Sequence, residues 1–219
     1  MMTVALVDNP RLKTTQIVVL PNISWPTYQT LLAESGERIS SKFAYSRGVL
    51  EIMMPSDLHE KINCVLKGIV TALTKKVNLR VKGFSSTSLN SYDLQYGEEQ
   101  DSCFSLQKFD SILGKNLEIL NAASPDLVIK VDFTSLSSNR LPVYQHLGII
   151  ERELYRGVTV KIYQLQNTRY IFCEYRLAFL IRPATLLNHH LVQISETQDN
   201  NAIVRWPQWV RQQLQTQSL

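Results

Sequence analysis

Asp126, Lys130 and Asp132, with Asp101 some way before them, are the residues whose types and spacing are suited to chemistry. In Leu127-Val128-Ile129-Lys130-Val131-Asp132, the aliphatics Leu127, Ile129 and Val131 alternate with Val128, Lys130 and Asp132. That period of two predicts a strand closing a stretch that opens at Asp101. It sends Asp126, Lys130 and Asp132 to one face, with neighbours on that face roughly 7 Å apart, and turns the aliphatics toward a core. Two acids around a lysine, facing an acid from an earlier strand, suggest a polar cleft that holds charge. The solvated edge of an amphipathic sheet accounts for the same pattern equally well.

The elements that must position these residues are read from periodicity. Ser24 caps a short helix containing Trp25, Tyr28, Leu31 and Leu32 as its packing face, with Pro26 in its first turn and Gly36 at its end. The turn Tyr45-Ser46-Arg47-Gly48 leads into a strand over Val49–Met54, stopped by Pro55. Ser56 caps the next helix, in which Leu58, Ile62, Val65, Leu66, Ile69, Val70, Leu73 and Val77 recur at helical spacing. At ~100° per residue Glu60 lies about 150° from the middle of that stripe, so it faces solvent or a groove. His59 sits at the stripe's border, where packing accounts for it better than metal ligation does. Lys75, Lys76, Arg80 and Lys82 cluster at and beyond the helix end. They suit phosphate contacts, or simply a charged helix end and strand face.

Two short strands fit residues 79–89, and Asp101–Leu106 is the next strand. A polar excursion over 107–122 then leads to Asp126. Ser137, Ser138 and Asn139 cap a helix holding Arg140, Leu141, Tyr144 and Leu147, ended by Gly148. Val158–Tyr163 and Tyr170–Cys173 pair as a hairpin around Gln166, Asn167 and Thr168. Residues 185–219 read as one or two helices anchored by Trp206 and Trp209, with His189 and His190 in surface or packing roles. Residues 1–20 read as an irregular arm or edge strand around Ile17–Leu20. The expected architecture is α+β, with a mixed central sheet flanked by helices. The expected divisions are an arm at 1–24, a core domain at 25–180 and a helical extension at 181–219.

Composition narrows the function classes. A net charge of +4 over 219 residues is mildly basic, well short of the concentrated charge of a dedicated nucleic-acid binder. Cys64, Cys103 and Cys173 are odd in number and lack paired spacing, which argues against a zinc site or a disulfide framework and favours a reducing cytoplasm. No run approaches the ~18 apolar residues of a membrane span.

The motifs resemble the PD-(D/E)XK nuclease superfamily and, within it, the Uma-type branch of restriction endonucleases. The resemblance spans about residues 25–180. It rests on Tyr45-x-x-Gly48-x-Leu50-Glu51-Ile52-Met53-x-Pro55-Ser56-x-x-His59-Glu60, on Gly83 to Thr87, and on Asp101-x-Cys103-Phe104. It continues through Pro125-Asp126-Leu127-Val128-Ile129 and Leu141-Pro142-Val143-Tyr144-x-x-Leu147-Gly148. Each motif is weak; their shared order and spacing are specific.

The resemblance implies a restriction-endonuclease-like core and hydrolysis of DNA phosphodiesters with magnesium or manganese. It carries the helix acid onto Glu60 and the first strand acid onto Asp101, preceded here by Gln100 where the family has proline. The second strand acid falls on Lys130 and the family lysine on Arg140. The family's later proline and tryptophan fall on Ile150 and Glu153. The candidate catalytic set is therefore Glu60, Asp101, Asp126, Lys130 and Arg140, with Asp101 and Asp126 as candidate metal ligands and Asp132 as another source of a migrated carboxylate. An ammonium in place of a carboxylate removes an oxygen ligand and adds repulsion toward the ion, since unit charges ~4 Å apart interact by about 4 kcal/mol at an effective dielectric near 20. Two readings follow: a metal-dependent DNA endonuclease with an altered site, or a nuclease-fold protein without catalysis that binds nucleic acid or a partner. Lys130 is expected to offset the repulsion between Asp101 and Asp126 in the place of a metal. A homodimer contact through the tail stays open.

Overall fold

The apolar stripe of the long helix sets the core. In the computed structural model the described residues are 3–6, 16–35, 41–76, 78–84, 87–106, 124–132, 141–156 and 159–173, with the single positions 188, 191 and 212. The elements are β1 (Thr3–Leu6), β2 (Gln16–Pro21), α1 (Trp25–Ser35), β3 (Lys42–Ser46), β4 (Val49–Met54) and α2 (Asp57–Lys76). They continue with β5 (Lys82–Phe84), β6 (Thr87–Ser91), β7 (Tyr96–Gln100), β8 (Ser102–Ser105), β9 (Leu127–Asp132), α3 (Leu141–His146), β10 (Glu151–Arg156), β11 (Thr159–Gln166) and β12 (Arg169–Cys173). The strands make two six-stranded sheets, ordered β1-β2-β4-β3-β7-β6 and β12-β11-β10-β9-β8-β5. Only the second is mixed, because β9 and β10 run parallel. This is the expected α+β class, with helices on the mixed sheet; the additional, wholly antiparallel sheet is a departure from that expectation.

Leu58, Ile62, Val65, Leu66, Ile69, Val70 and Leu73 of α2 pack on Phe104, Leu127, Ile129 and Val131. Seven of the eight residues predicted for that stripe thus reach the core; the eighth, Val77, lies outside the described residues. Ser56 caps α2 as predicted, its hydroxyl accepting the His59 N–H at 3.2 Å. The other face of β9 is covered as well, with Val128 joining Cys103, Leu89, Tyr144 and Ile149. A strand expected to show one polar face to a cleft is buried along its whole length.

The antiparallel sheet has its own core of Trp25, Tyr28, Phe43, Tyr45 and Leu50, with Leu31 and Leu32 packed against it. The β3–β4 hairpin turns at Arg47 and Gly48, both with positive φ, and closes Ser46 onto Val49. Strand β2 is not an edge, since it pairs with β1 on one side and β4 on the other. The predicted hairpin is β11–β12, turning at Asn167 and Thr168. Residues 137–140, the excursion over 107–122 and almost all of 185–219, including His189, His190, Trp206 and Trp209, lie outside the described residues. No described helix is long and apolar enough to cross a membrane.

Candidate functional site

Asp101 is the single residue between β7 and β8, which belong to different sheets. Its N–H donates to the Ile129 carbonyl at 3.2 Å, continuing the β8–β9 ladder. Its side chain then takes over where a backbone acceptor would stand, with Oδ2 accepting the Val131 N–H at 2.6 Å. Oδ1 turns toward α2 and the antiparallel sheet, where His59 Nε2 lies at 2.8 Å and Lys42 Nζ donates to it directly. The capped first turn of α2 aims His59 inward, and one turn on Asn63 donates from Nδ2 to the Asp101 carbonyl at 3.3 Å. The Ser102 hydroxyl joins the Asn63 amide oxygen at 2.9 Å.

Lys42 comes from the other sheet. The pairing of β3 with β7, Ala44 opposite Glu98, places the start of β3 beside Asp101. The Lys42 side chain is only 9% exposed, and its ammonium also lies 3.9 Å from Glu60 Oε1. Glu60 points outward as its helical position requires, 55% exposed. Burial alone would raise the Asp101 carboxyl. The charge of Lys130, the hydrogen bond and charge of His59, and the charge of Lys42 outweigh it and hold Asp101 well below the usual carboxylate range.

Lys130 serves a second, deeper pair. Its ammonium lies 3.4 Å from Glu98 Oε1 and donates to the Glu99 carbonyl at 2.9 Å. Glu98 is fully buried, and its Oε2 accepts the Tyr96 hydroxyl at 2.6 Å and the Tyr144 hydroxyl as well. Tyr144 also approaches Gln100 Oε1 at 3.1 Å, and the Arg152 guanidinium lies over its ring, 4.5 Å from the centroid. The Glu99 carboxylate accepts the Phe43 N–H at 2.6 Å. Burial raises its pKa, helped by Asp101, against the lowering effects of the Phe43 N–H, Lys130 and Lys42.

The predicted residues are thus brought together only in part. Glu60, Asp101 and Lys130 share one end of β9, near the start of α2. Asp126 does not join them. Its N–H bonds the Phe104 carbonyl at 2.9 Å, three residues along β8 from Asp101, or ~10 Å at the rise of a strand. Its carboxylate points further away, accepting the Leu106 N–H at 2.7 Å. The expectation that Lys130 offsets an Asp101–Asp126 repulsion is corrected in part: the acids are apart, Lys42 hydrogen-bonds Asp101, and Lys130 acts on Asp101 through its charge. Asp132 is buried at the end of β9. Arg140 and the side chains of Lys76 and Glu153 lie outside the described residues. Lys75 and Arg80 are exposed, with Lys75 ~24 Å along α2 from His59 at 1.5 Å per residue, while Lys82 sits over the Phe84 ring at 5.1 Å and pairs on β5 with Ser105 of β8.

Lys42, Glu98, Glu99 and Asn63 escaped the sequence reading. The acidic run Glu98-Glu99-Gln100-Asp101 was the available signal, because three acids in four positions need cations nearby once buried. Nothing local marks Lys42 as their partner.

A magnesium-type ion needs several converging oxygen donors. Here both Asp101 oxygens face protein donors, and Lys130 stands where the resemblance puts the second acid. Among the described residues no three His, Cys, Asp or Glu side chains converge as a ligand set. As arranged, these residues do not fit magnesium or manganese.

Comparisons with known proteins agree with the fold. The family model of Uma2, described as "Putative restriction endonuclease", matches residues 25–192. A crystal structure of "a putative nuclease belonging to DUF820" from Anabaena variabilis ATCC 29413 is similar over 78% of this chain and 99% of that one, at 14% identity and a TM-score of 0.52. At that identity the likeness shows the fold, a restriction-endonuclease-like core. No curated protein matches the chain.

Proposed function

Because the chain belongs to the Uma2 family, we propose that it is a nuclease-fold protein that binds nucleic acid without hydrolysing phosphodiesters by a divalent-metal route. The observation that carries this reading is the commitment of Asp101. Its Oδ1 meets Lys42 and His59, and its Oδ2 holds the Val131 N–H. A carboxylate with these partners has strong donors to give up before it ligates an ion, and Lys130 supplies no second carboxylate beside it.

DNA is the partner the family points to, and the exposed Lys75 and Arg80, with Lys76 and Lys82, are the proposed phosphate contacts. Such contacts would hold a duplex through its phosphate backbone and weaken as salt rises.

The second reading, an endonuclease using magnesium or manganese, is favoured by one observation. Glu60, 55% exposed, brings a solvent-facing carboxylate within 3.9 Å of the Lys42 ammonium, which itself contacts Asp101. Plasmid nicking by purified protein separates the two. The first reading expects no nicking above an EDTA control in magnesium or manganese, together with duplex binding that weakens as salt rises. Nicking abolished by both EDTA and Asp101→Ala would overturn it in favour of the second.

A further inference from the structure

We propose that the face of β11 and β12 carrying Tyr163 and Phe172 binds an unpaired DNA strand, with the Phe172 ring stacking on one base, Tyr163 setting that ring in place and Lys161 meeting a phosphate. The inference rests on the reading of a nucleic-acid binder and deepens it, by naming the state of the strand and a surface other than Lys75 and Arg80.

Strand register brings the residues together. Arg152 of β10 pairs with Tyr163 of β11, and Tyr163 pairs with Phe172 of β12, so the three stand in one row on one face of the sheet. Val128 of β9 begins the same row. Lys161 shares the face, two residues before Tyr163 and roughly 7 Å from it along the strand. Cover thins along the row: Val128 and Arg152 are buried, Tyr163 is half-buried and Phe172 is 54% exposed, with Lys161 exposed beside them. The row thus starts beneath Tyr144 of α3, whose ring takes the Arg152 guanidinium, and runs out into solvent at Phe172.

Two features make this exposed aromatic a stacking surface. Tyr163 meets Phe172 with 6.3 Å between centroids and 71° between planes, an edge-to-face contact that steadies the Phe172 ring without covering it. A ring already fixed loses little freedom when a base lands on it. The surroundings are also positive. From Leu154 to Cys173 the sequence sets Arg156, Lys161 and Arg169 among Tyr155, Tyr163, Tyr170 and Phe172, and contains no acid. The charge of Arg152 reaches Tyr170 of β12, where it works against the burial that raises the phenol. Aromatic faces accept any base, and cations beside them follow the backbone. A duplex keeps its bases stacked on one another, so only an unpaired strand offers one to Phe172.

A second copy of the chain fits this face less well. Protein interface centres are depleted in lysine, and here Lys161 stands next to the one largely exposed aromatic on this face among the described residues. A ring that serves only the hairpin predicts something different again: Phe172→Ala would lower stability and leave oligonucleotide affinity unchanged.

The test is fluorescence anisotropy of a labelled oligothymidylate of about 12 nucleotides with the full chain, read against an abasic strand of the same length. Wild type should bind the oligothymidylate at least about tenfold more tightly than the abasic strand, which keeps the phosphates and lacks the rings. Phe172→Ala and Phe172→Leu should each lose about tenfold in affinity, leucine included because it is apolar without a π-face. Phe172→Trp should bind at least as tightly as wild type, with its indole emission quenched by the oligonucleotide. Lys161→Gln should lower the salt slope by about 0.7. The proposal is overturned by absence of binding in wild type, by equal binding of the abasic strand, by Phe172→Leu that binds as wild type, or by an unchanged salt slope in Lys161→Gln. Tighter binding of an oligouridylate of the same length would also overturn it, as would a wild-type dimer that Phe172→Ala dissociates in sedimentation. If the alanine and leucine variants do not fold, the abasic comparison in wild type and the Phe172→Trp emission still decide. Metal-dependent nicking by wild type, or a failure to bind duplex DNA, would instead sink the functional reading as stated and leave the Phe172 result standing.

Discussion

On one side of β9, Leu127, Ile129 and Val131 meet the aliphatic stripe of α2. On the other side, Lys130 meets Glu98, itself held by Tyr96 and Tyr144. Both sides are buried, yet they are stabilised in different ways. The apolar side gains from area removed from water and tolerates changes of shape that conserve volume. The ionic side depends on matching each charge to its partner, because desolvation offsets most of the Coulombic gain and a lone survivor is strongly unfavourable. A buried surface can thus be robust to exchange on one face and brittle on the other.

The sharpest way to break this comparison is Lys130→Glu, the change that would restore the family's acid. It sets two carboxylates against each other where an ion pair spans 3.4 Å. We expect a loss of about 5 kcal/mol in urea unfolding, the upper end for a broken buried pair, with partial recovery when Glu98→Lys is added. An unchanged midpoint would mean that the ionic side is as forgiving as the apolar one. Next comes Ile129→Ala on the α2 side, expected to cost about 3 kcal/mol through lost transfer energy and a cavity. Replacing the pair together, Lys130→Met with Glu98→Gln, should shift stability by only about 1 kcal/mol, since no charge is stranded.

Acid titration sharpens the same contrast. Asp101 titrates below its ordinary 3.8 in the folded chain, so its contribution is complete above that pH and is lost as pH falls through the lower folded value. Glu99 titrates above its ordinary 4.5, so its effect has the opposite sign, and stability rises as pH falls toward 4.5. Melting temperature followed from neutral to acid pH should therefore rise slightly and then fall. Asp101→Asn should remove the fall and Glu99→Gln the rise. The smallest effect belongs to the exposed end of α2. Lys75→Gln and Arg80→Gln should change stability by less than about 0.5 kcal/mol, while each lowers the salt slope of duplex binding by about one.

How much of this was legible in the sequence follows from the range of the interactions. The α2 stripe and its Ser56 cap are local, and both were readable. The alternation in β9 gave the strand and its aliphatic face. It misassigned the environment of Lys130, because a polar residue at period two reads as solvent-facing whether its partner is water or Glu98. Strand β10 was missed for a related reason. Glu151 and Arg152 look exposed but are 5% and 4% accessible, Glu151 accepting from the Gln164 amide at 3.3 Å and Arg152 lying over the Tyr144 ring. Lys42 was out of reach entirely. It meets Asp101 across a separation of 59 residues, through the pairing of β3 with β7, and no local pattern encodes that meeting.

The splice at Asp101 has a consequence for reading other chains of this family. The residue carries the polypeptide from one sheet to the other, and its carboxylate stands in for a backbone acceptor at that crossing. In this chain the aspartate thus has an architectural task whether or not any phosphodiester is broken. Its presence is no marker of a working nuclease.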